Sequence, residues 1–236
     1  MIIRGLADRA EVRHLRKLAE QDLADQHGPV ELEADVQYPG APASRAAPGG
    51  DTVRRLLEAY NRQPDYAAWG SDQRVTDRLR VLFGNQEIFL VQSHHNCVMT
   101  KHPRYSSETH WHQDARYWAY TNPNLISVWL ALGFEEQANG GMQLIPGTHN
   151  VDFDDHRYDS EKFLRTDLPE NLDLIQHAVL AELEPGDALF FHARLFHAAG
   201  RNLSRRRKFA LVFTYRCAGN PPLPESKSTR LPEISL

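Results

Sequence analysis

The chain has 236 residues, with 27 Lys+Arg against 31 Asp+Glu, 41% hydrophobic content and 14 each of Gly and Pro, a composition that excludes a disordered, collagenous or disulfide-stapled chain. Its net charge of −4 excludes bulk electrostatic attraction to nucleic acid or to an anionic membrane surface. The expected partner is therefore a small molecule.

Within residues 7–26, Val12, Leu15, Leu18, Ala19 and Leu23 recur at helical spacing, which predicts a half-buried helix. Residues 38–50 are too rich in Pro, Gly and Ala for regular structure. Asp51 then offers an N-cap for a second helix carrying Val53, Leu56, Leu57 and Tyr60. A third helix is predicted over residues 72–83, stopping at Gly84. Beyond Gly84 the pattern changes to short β-branched and aromatic runs at 87–92, 96–101, 110–114, 125–132, 142–145, 178–183, 188–192, 195–198 and 208–216, which read as strands. Residues 150–171 read as an insertion with a little helix, and the proline-rich tail from Asn220 as extended. The expectation is one α+β domain over residues 1–236, with helical support in 1–84, a β core in 85–218 and a tail in 219–236.

Cys97 and Cys217 form no Cys-x-x-Cys pair, which leaves no structural zinc motif and suits a reducing compartment. A charged stretch begins at Asp8, too early for the apolar core of a signal peptide, and the longest apolar run, 125–134, is short of the roughly 18 residues of a membrane span. A cytoplasmic protein is expected.

The densest chemical signal is Thr109-His110-Trp111-His112-Gln113-Asp114. Residues two apart on a strand share a face, so His112 and Asp114 would sit side by side about 7 Å apart along the backbone. Adding His110 would ask one extended strand for three ligands, an awkward geometry. The region from Pro185 to His197 offers a second histidine, either His192 or His197. Two His and one carboxylate leave three positions open on non-haem Fe(II), although zinc accepts the same donors.

Trp111-His112-Gln113-Asp114 with Tyr117-Trp118, Ile126-Ser127-Val128-Trp129, Asn139-Gly140-Gly141, Leu144-Ile145-Pro146-Gly147-Thr148-His149, Pro185-Gly186-Asp187, and His197 with Asn202 and Ser204 together resemble the phytanoyl-CoA dioxygenase family, which includes ectoine hydroxylase. The resemblance implies a double-stranded β-helix, a cupin-like jelly roll with flanking N-terminal helices. It implies Fe(II) held by His112, Asp114 and His197, with 2-oxoglutarate as co-substrate, O2 as oxidant and stimulation by ascorbate. The implied reaction hydroxylates a C–H bond of a small metabolite and releases succinate and CO2.

The resemblance selects His197, five residues before Asn202, as distal ligand over His192. It places Lys208 where the family usually carries an arginine for the distal carboxylate of 2-oxoglutarate. A lysine is a point charge where arginine is a planar fork, and a one-residue bulge would bring in Arg207 instead. Asn96 and Ser127 match positions that help hold 2-oxoglutarate, and Lys101 is a further anion-binding candidate. Gln92, Arg116, Tyr117 and Trp118 are expected at the pocket mouth, and His192 facing the substrate or the core. Related halogenases carry a small residue where this chain has Asp114, so hydroxylation is the expected chemistry. A metal-carrying jelly roll that only binds or senses, and a zinc hydrolase, are the alternative readings. Arg104, Arg116 and Arg194 would make the mouth positive and suit an anionic or amino-acid-like substrate.

Overall fold

The computed structural model describes residues 1–236. In chain order, β1 (Ile2–Ile3), α1 (Arg9–Asp25), β2 (Val30–Leu32), α2 (Glu33–Val36), β3 (Val53–Leu57), α3 (Ala59–Arg62), α4 (Pro64–Gly70) and α5 (Gln73–Leu82) precede the β core. The core holds β4 (Ile88–Lys101), β5 (Thr109–His112), β6 (Leu125–Ala131), β7 (Met142–Leu144), β8 (Val179–Leu180), β9 (Ala188–His192), β10 (His197–Ala199) and β11 (Lys208–Cys217). A helix, α6 (Pro169–Ile175), lies in the insertion, and β12 (Ile234–Ser235) ends the tail.

Local chemistry accounts for the helix boundaries. The Asp8 carboxylate accepts from the backbone N–H groups of Ala10 and Glu11 and starts α1, which buries Val12, Leu15, Ala19 and Leu23 on one stripe. Asp72 caps α5 by accepting from the Arg74 N–H. The predicted helix over residues 51–60 is corrected: Val53–Leu57 is a strand. Arg55 and Leu56 pair with Met99 and Val98 of β4, and the Thr100 hydroxyl donates to the Val53 carbonyl. Pairing with an existing sheet edge outweighs the helical spacing of the apolar residues.

Two antiparallel sheets form. The larger runs β1-β9-β6-β11-β4-β3-β2, with β12 also on β4, and the smaller runs β5-β10-β7-β8. Alternation divides every central strand between two cores. Ile126, Val128, Leu130, Phe209, Leu211 and Phe213 face the N-terminal helices, while Trp129, Ala131, Leu189, Phe191, Ala210 and Val212 face the interior between the sheets. Each fully buried leucine contributes roughly 1.5–3 kcal/mol, so this division fixes register strongly. Interior-facing positions at the open end carry the polar groups described next.

The two short strands expected at 87–92 and 96–101 are one strand, β4, interrupted by a wide bulge: β11 pairs Phe213 with Asn96 and Thr214 with Val91, so residues 92–95 have no counterpart on β11. No helix is long and apolar enough to cross a membrane.

Candidate metal centre

His112 and His197 are cross-strand partners in the β5–β10 ladder, which brings together residues 85 positions apart. The strand predicted through Asp114 stops at His112, and Asp114 opens a 3-10 turn, Asp114–Arg116, that turns its carboxylate back toward both imidazoles. Asp114 Oδ1 lies 3.6 Å from His112 Nε2 and 3.8 Å from His197 Nε2, and one donor atom from each of the three residues lies within 4.8 Å of the others.

Three neighbours hold this geometry. Gln113 Nε2 donates to the Arg194 carbonyl at 2.5 Å and its Oε1 accepts from the Tyr158 hydroxyl at 2.9 Å. Thr148 Oγ1 accepts from the Phe196 N–H at 3.0 Å, fixing the residue before His197. Asn202 Nδ2 donates to the carbonyls of Lys101 and Arg206, closing the loop between β10 and β11.

The donor set fits a divalent cation. His112 Nδ1 lies 2.8 Å from the His110 carbonyl and His197 Nδ1 lies 3.0 Å from the Leu195 carbonyl. A carbonyl requires N–H at Nδ1, which leaves each Nε2 bare and facing the third residue. Burial pulls the His197 imidazole down to about 4, with the His112 charge acting the same way, so it is neutral at pH 7, as a metal-binding imidazole must be. Burial acts to raise the Asp114 carboxyl, but the imidazoles of His95, His197 and His112 hold it below the usual carboxylate range. Asp114 Oδ2 is buried without a hydrogen-bond partner, the state of an acceptor shaped for a cation.

A cavity of about 530 Å3 opens beside these three residues. Its inner wall holds Trp129, Met142, Phe191 and Lys208. Lys208 points inward as alternation requires, but its Nζ donates to Glu135 at 3.0 Å and to the Gly140 carbonyl at 2.9 Å. Glu135 also accepts from Trp129 Nε1 at 2.6 Å. Lys101, the cross-strand partner of Lys208, lines the cavity with its Nζ directed at the carbonyls of Ser107, Ala199 and Gly200. Burial, reinforced by the Lys208 charge, pulls Lys101 down to about 7.

Tyr117 and Trp118 line the cavity, as expected at its mouth. Several other expected positions are corrected. Gln92 faces the helices, where its amide meets Asn61 and the Pro232 carbonyl. Asn96 also faces away, accepting from the Tyr60 N–H at 2.8 Å. Both follow from the alternation of β4 around its bulge. Ser127 faces inward beneath the site but bonds Thr214 at 2.9 Å, and it does not line the cavity. Arg116 lies over the Tyr158 ring and pairs with Asp155. Arg194 pairs with Asp152, and neither it nor Arg104 reaches the cavity. Arg207 also lies outside the cavity wall. His192 alternates away from the inward-facing Phe191, accepts from the Arg194 N–H and packs on His149.

Sequence reading missed His95, whose Nδ1 lies 3.7 Å from Asp114 Oδ2. It also missed Glu135, and the cavity residues Glu31, Glu33, Arg54 and Arg55 supplied by β2, α2 and β3.

Residues 1–210 match the phytanoyl-CoA dioxygenase (PhyH) family. The chain belongs to that family. It is 25% identical to the ectoine dioxygenase of Sphingopyxis alaskensis, over 93% of this chain and 72% of the relative. It is 28% identical to a probable alpha-ketoglutarate-dependent hypophosphite dioxygenase of Stutzerimonas stutzeri, over 74% of this chain and 62% of the relative. Among solved structures, EctD from S. alaskensis in its apoform superposes with a TM-score of 0.76 at 21% identity, over 94% of this chain and 74% of that one. The non-heme alpha ketoglutarate dependent epimerase SnoN from nogalamycin biosynthesis gives 0.74 at 20% identity, over 95% and 78%. The family-level jelly roll expected from the motifs is therefore the fold of this chain.

Proposed function

We propose that this member of the family is an Fe(II)- and 2-oxoglutarate-dependent dioxygenase that hydroxylates a C–H bond of a small molecule. One oxygen atom of O2 goes into the substrate hydroxyl and the other into succinate, with the 2-oxoglutarate carboxyl leaving as CO2. The observation that supports this most strongly is the convergence of His112 Nε2, His197 Nε2 and Asp114 within 4.8 Å, with both Nδ1 atoms engaged elsewhere. These three residues would hold iron, two neutral imidazoles and one carboxylate being a donor set that suits it. When bound, iron supplies the activation of O2; the side chains supply placement.

Lys208 is the cation of β11 that lines the cavity and would receive the distal carboxylate of 2-oxoglutarate, sharing its Nζ with Glu135. Trp129, Met142 and Phe191 wall that end against water. Tyr117 and Trp118, which line the same cavity, would contact the substrate.

The test is metal content and succinate formation from 2-oxoglutarate with Fe(II), ascorbate and oxygen. The wild-type chain is expected to bind one iron and release succinate. His112→Ala, Asp114→Ala and His197→Ala are each expected to lose iron and at least about 100-fold in turnover, whereas His192→Ala keeps the metal. Full iron occupancy in His197→Ala would refute the ligand set.

A further inference from the structure

The cavity contains more cations than the metal site and a 2-oxo acid require, and most are already engaged. Arg54 and Arg55 pair with Glu31, and Arg54 also approaches Glu33. Lys208 pairs with Glu135, and Lys101 is held by three carbonyls. Two cavity-lining cations are different. Lys227 and Arg230 make no ion pair or side-chain hydrogen bond, and both are exposed on the cavity rim.

They do not sit on a loose terminus. Between them, Ser228 is fully buried and accepts from the Ala119 N–H at 2.9 Å while touching His94 Nε2 at 2.7 Å. The Leu231 N–H donates to Ser93 Oγ, the Pro232 carbonyl accepts from Gln92, and β12 pairs with β4. Ser226 caps the turn by accepting from the Ser228 N–H. The segment is thus pinned on both sides of two unpaired positive charges that face the same cavity as His112, Asp114 and His197. It also lies beyond residues 1–210, the residues that match the family.

We infer that Lys227 and Arg230 are specificity-determining residues that bind an anionic group, carboxylate or phosphate, of the substrate. The inference rests on the oxygenase reading for the word substrate, but the anion site itself does not require turnover. Two unpaired cations on a pinned segment, lining the same cavity as Trp118 and Tyr117, would hold an anionic head while the apolar remainder lies along those rings toward the metal centre.

The test is calorimetric binding to the full chain loaded with Fe(II) and 2-oxoglutarate under argon. The probes are hexanoate against hexanamide and hexyl phosphate against hexanol. The anionic member of at least one pair is expected to bind about ten-fold or more tighter than its neutral partner, the scale of a charge-assisted hydrogen bond. That preference is expected to vanish in Lys227→Ala/Arg230→Ala and to persist in Lys227→Arg/Arg230→Lys. The pair that responds identifies the head group. Equal binding of acid and neutral partner in both pairs overturns the inference, as does a preference that survives the double alanine variant, since the anion would then sit elsewhere, the metal included. Anion preference in this experiment, together with no succinate formed when the same chain is supplied with oxygen and ascorbate, would sink the oxygenase reading and leave this site standing.

Discussion

At the scale of single residues, the feature with most consequence is the Lys208–Glu135 pair. Both side chains are almost wholly buried, at 3% and 0% exposure. Removing one partner of such a pair leaves an uncompensated charge and costs about 3–5 kcal/mol. Glu135→Gln is therefore expected to lower the melting temperature of the free protein. A carboxylate ligand arriving at Lys208 would replace the lost partner, so 2-oxoglutarate should raise the melting temperature of Glu135→Gln by more than that of the wild type. Equal ligand-induced shifts would mean that the co-substrate does not reach Lys208. A second residue-scale effect concerns acid. Burial, aided by the charges of His149 and Arg194, holds His192 down to about 4, against about 6.5 in an unfolded chain. The unfolded state thus takes up a proton first. Stability that is complete above about pH 6.5 falls as the pH drops toward 4. In urea titrations at pH 7 and pH 5, His192→Asn is expected to lose less stability on acidification than the wild type.

At the scale of elements, the Pro185-Gly186-Asp187 turn shows why a motif can be legible while its role is not. Asp187 accepts from the Gly5 N–H, the Glu184 N–H and Arg4, and the Ala7 N–H donates to the Gly186 carbonyl. The turn before β9 therefore fastens the segment that leads into α1. Gly186 has φ +98, and a Cβ there would lie 2.3 Å from the Ala7 carbonyl oxygen. Gly186→Ala is expected to destabilise the chain by about 3 kcal/mol in chemical denaturation without changing iron stoichiometry, because the candidate metal ligands lie on β5, β10 and the turn after β5. The same contrast explains what sequence reading reached. His112, Asp114 and the positions of most strands show in the chain because they rest on spacings of two residues and on ordered motifs. Val53, Leu56, Leu57 and Tyr60 mislead because their spacing suits a helix, and only the edge of β4 makes Val53–Leu57 a strand. Gln92 and Asn96 are misplaced because the bulge at residues 92–95 alters which face each residue takes. Glu135 lies 73 positions from Lys208, a separation at which no local pattern signals a pair.

At the scale of the whole molecule, the chain after β11 returns across the mouth of the barrel, and a buried ion pair is one of the contacts that tie it there. Glu233 accepts from Arg216 Nε at 2.8 Å and from the Tyr120 hydroxyl at 3.1 Å, while Arg216 lies 4.0 Å over the Phe89 ring. Arg216 belongs to a central strand and Glu233 to the tail, so the pair couples a segment with little core of its own to the most stable part of the sheet. Neutralising Glu233 leaves Arg216 buried without its counter-charge, and detaching the tail is the structural response that lets water reach the guanidinium. Glu233→Gln is expected to weaken tail docking by about 3 kcal/mol. Hydrogen exchange should then accelerate by roughly 100-fold at the Leu231 and Leu236 amides, which donate to Ser93 and to the Ile88 carbonyl. Amides of β11 that pair with β6 should keep their protection, since that ladder does not depend on the tail. Unchanged exchange at both tail amides would show that β12 and Ser228 hold the segment without Glu233, and uniform acceleration through β11 would show that tail and sheet open as one unit.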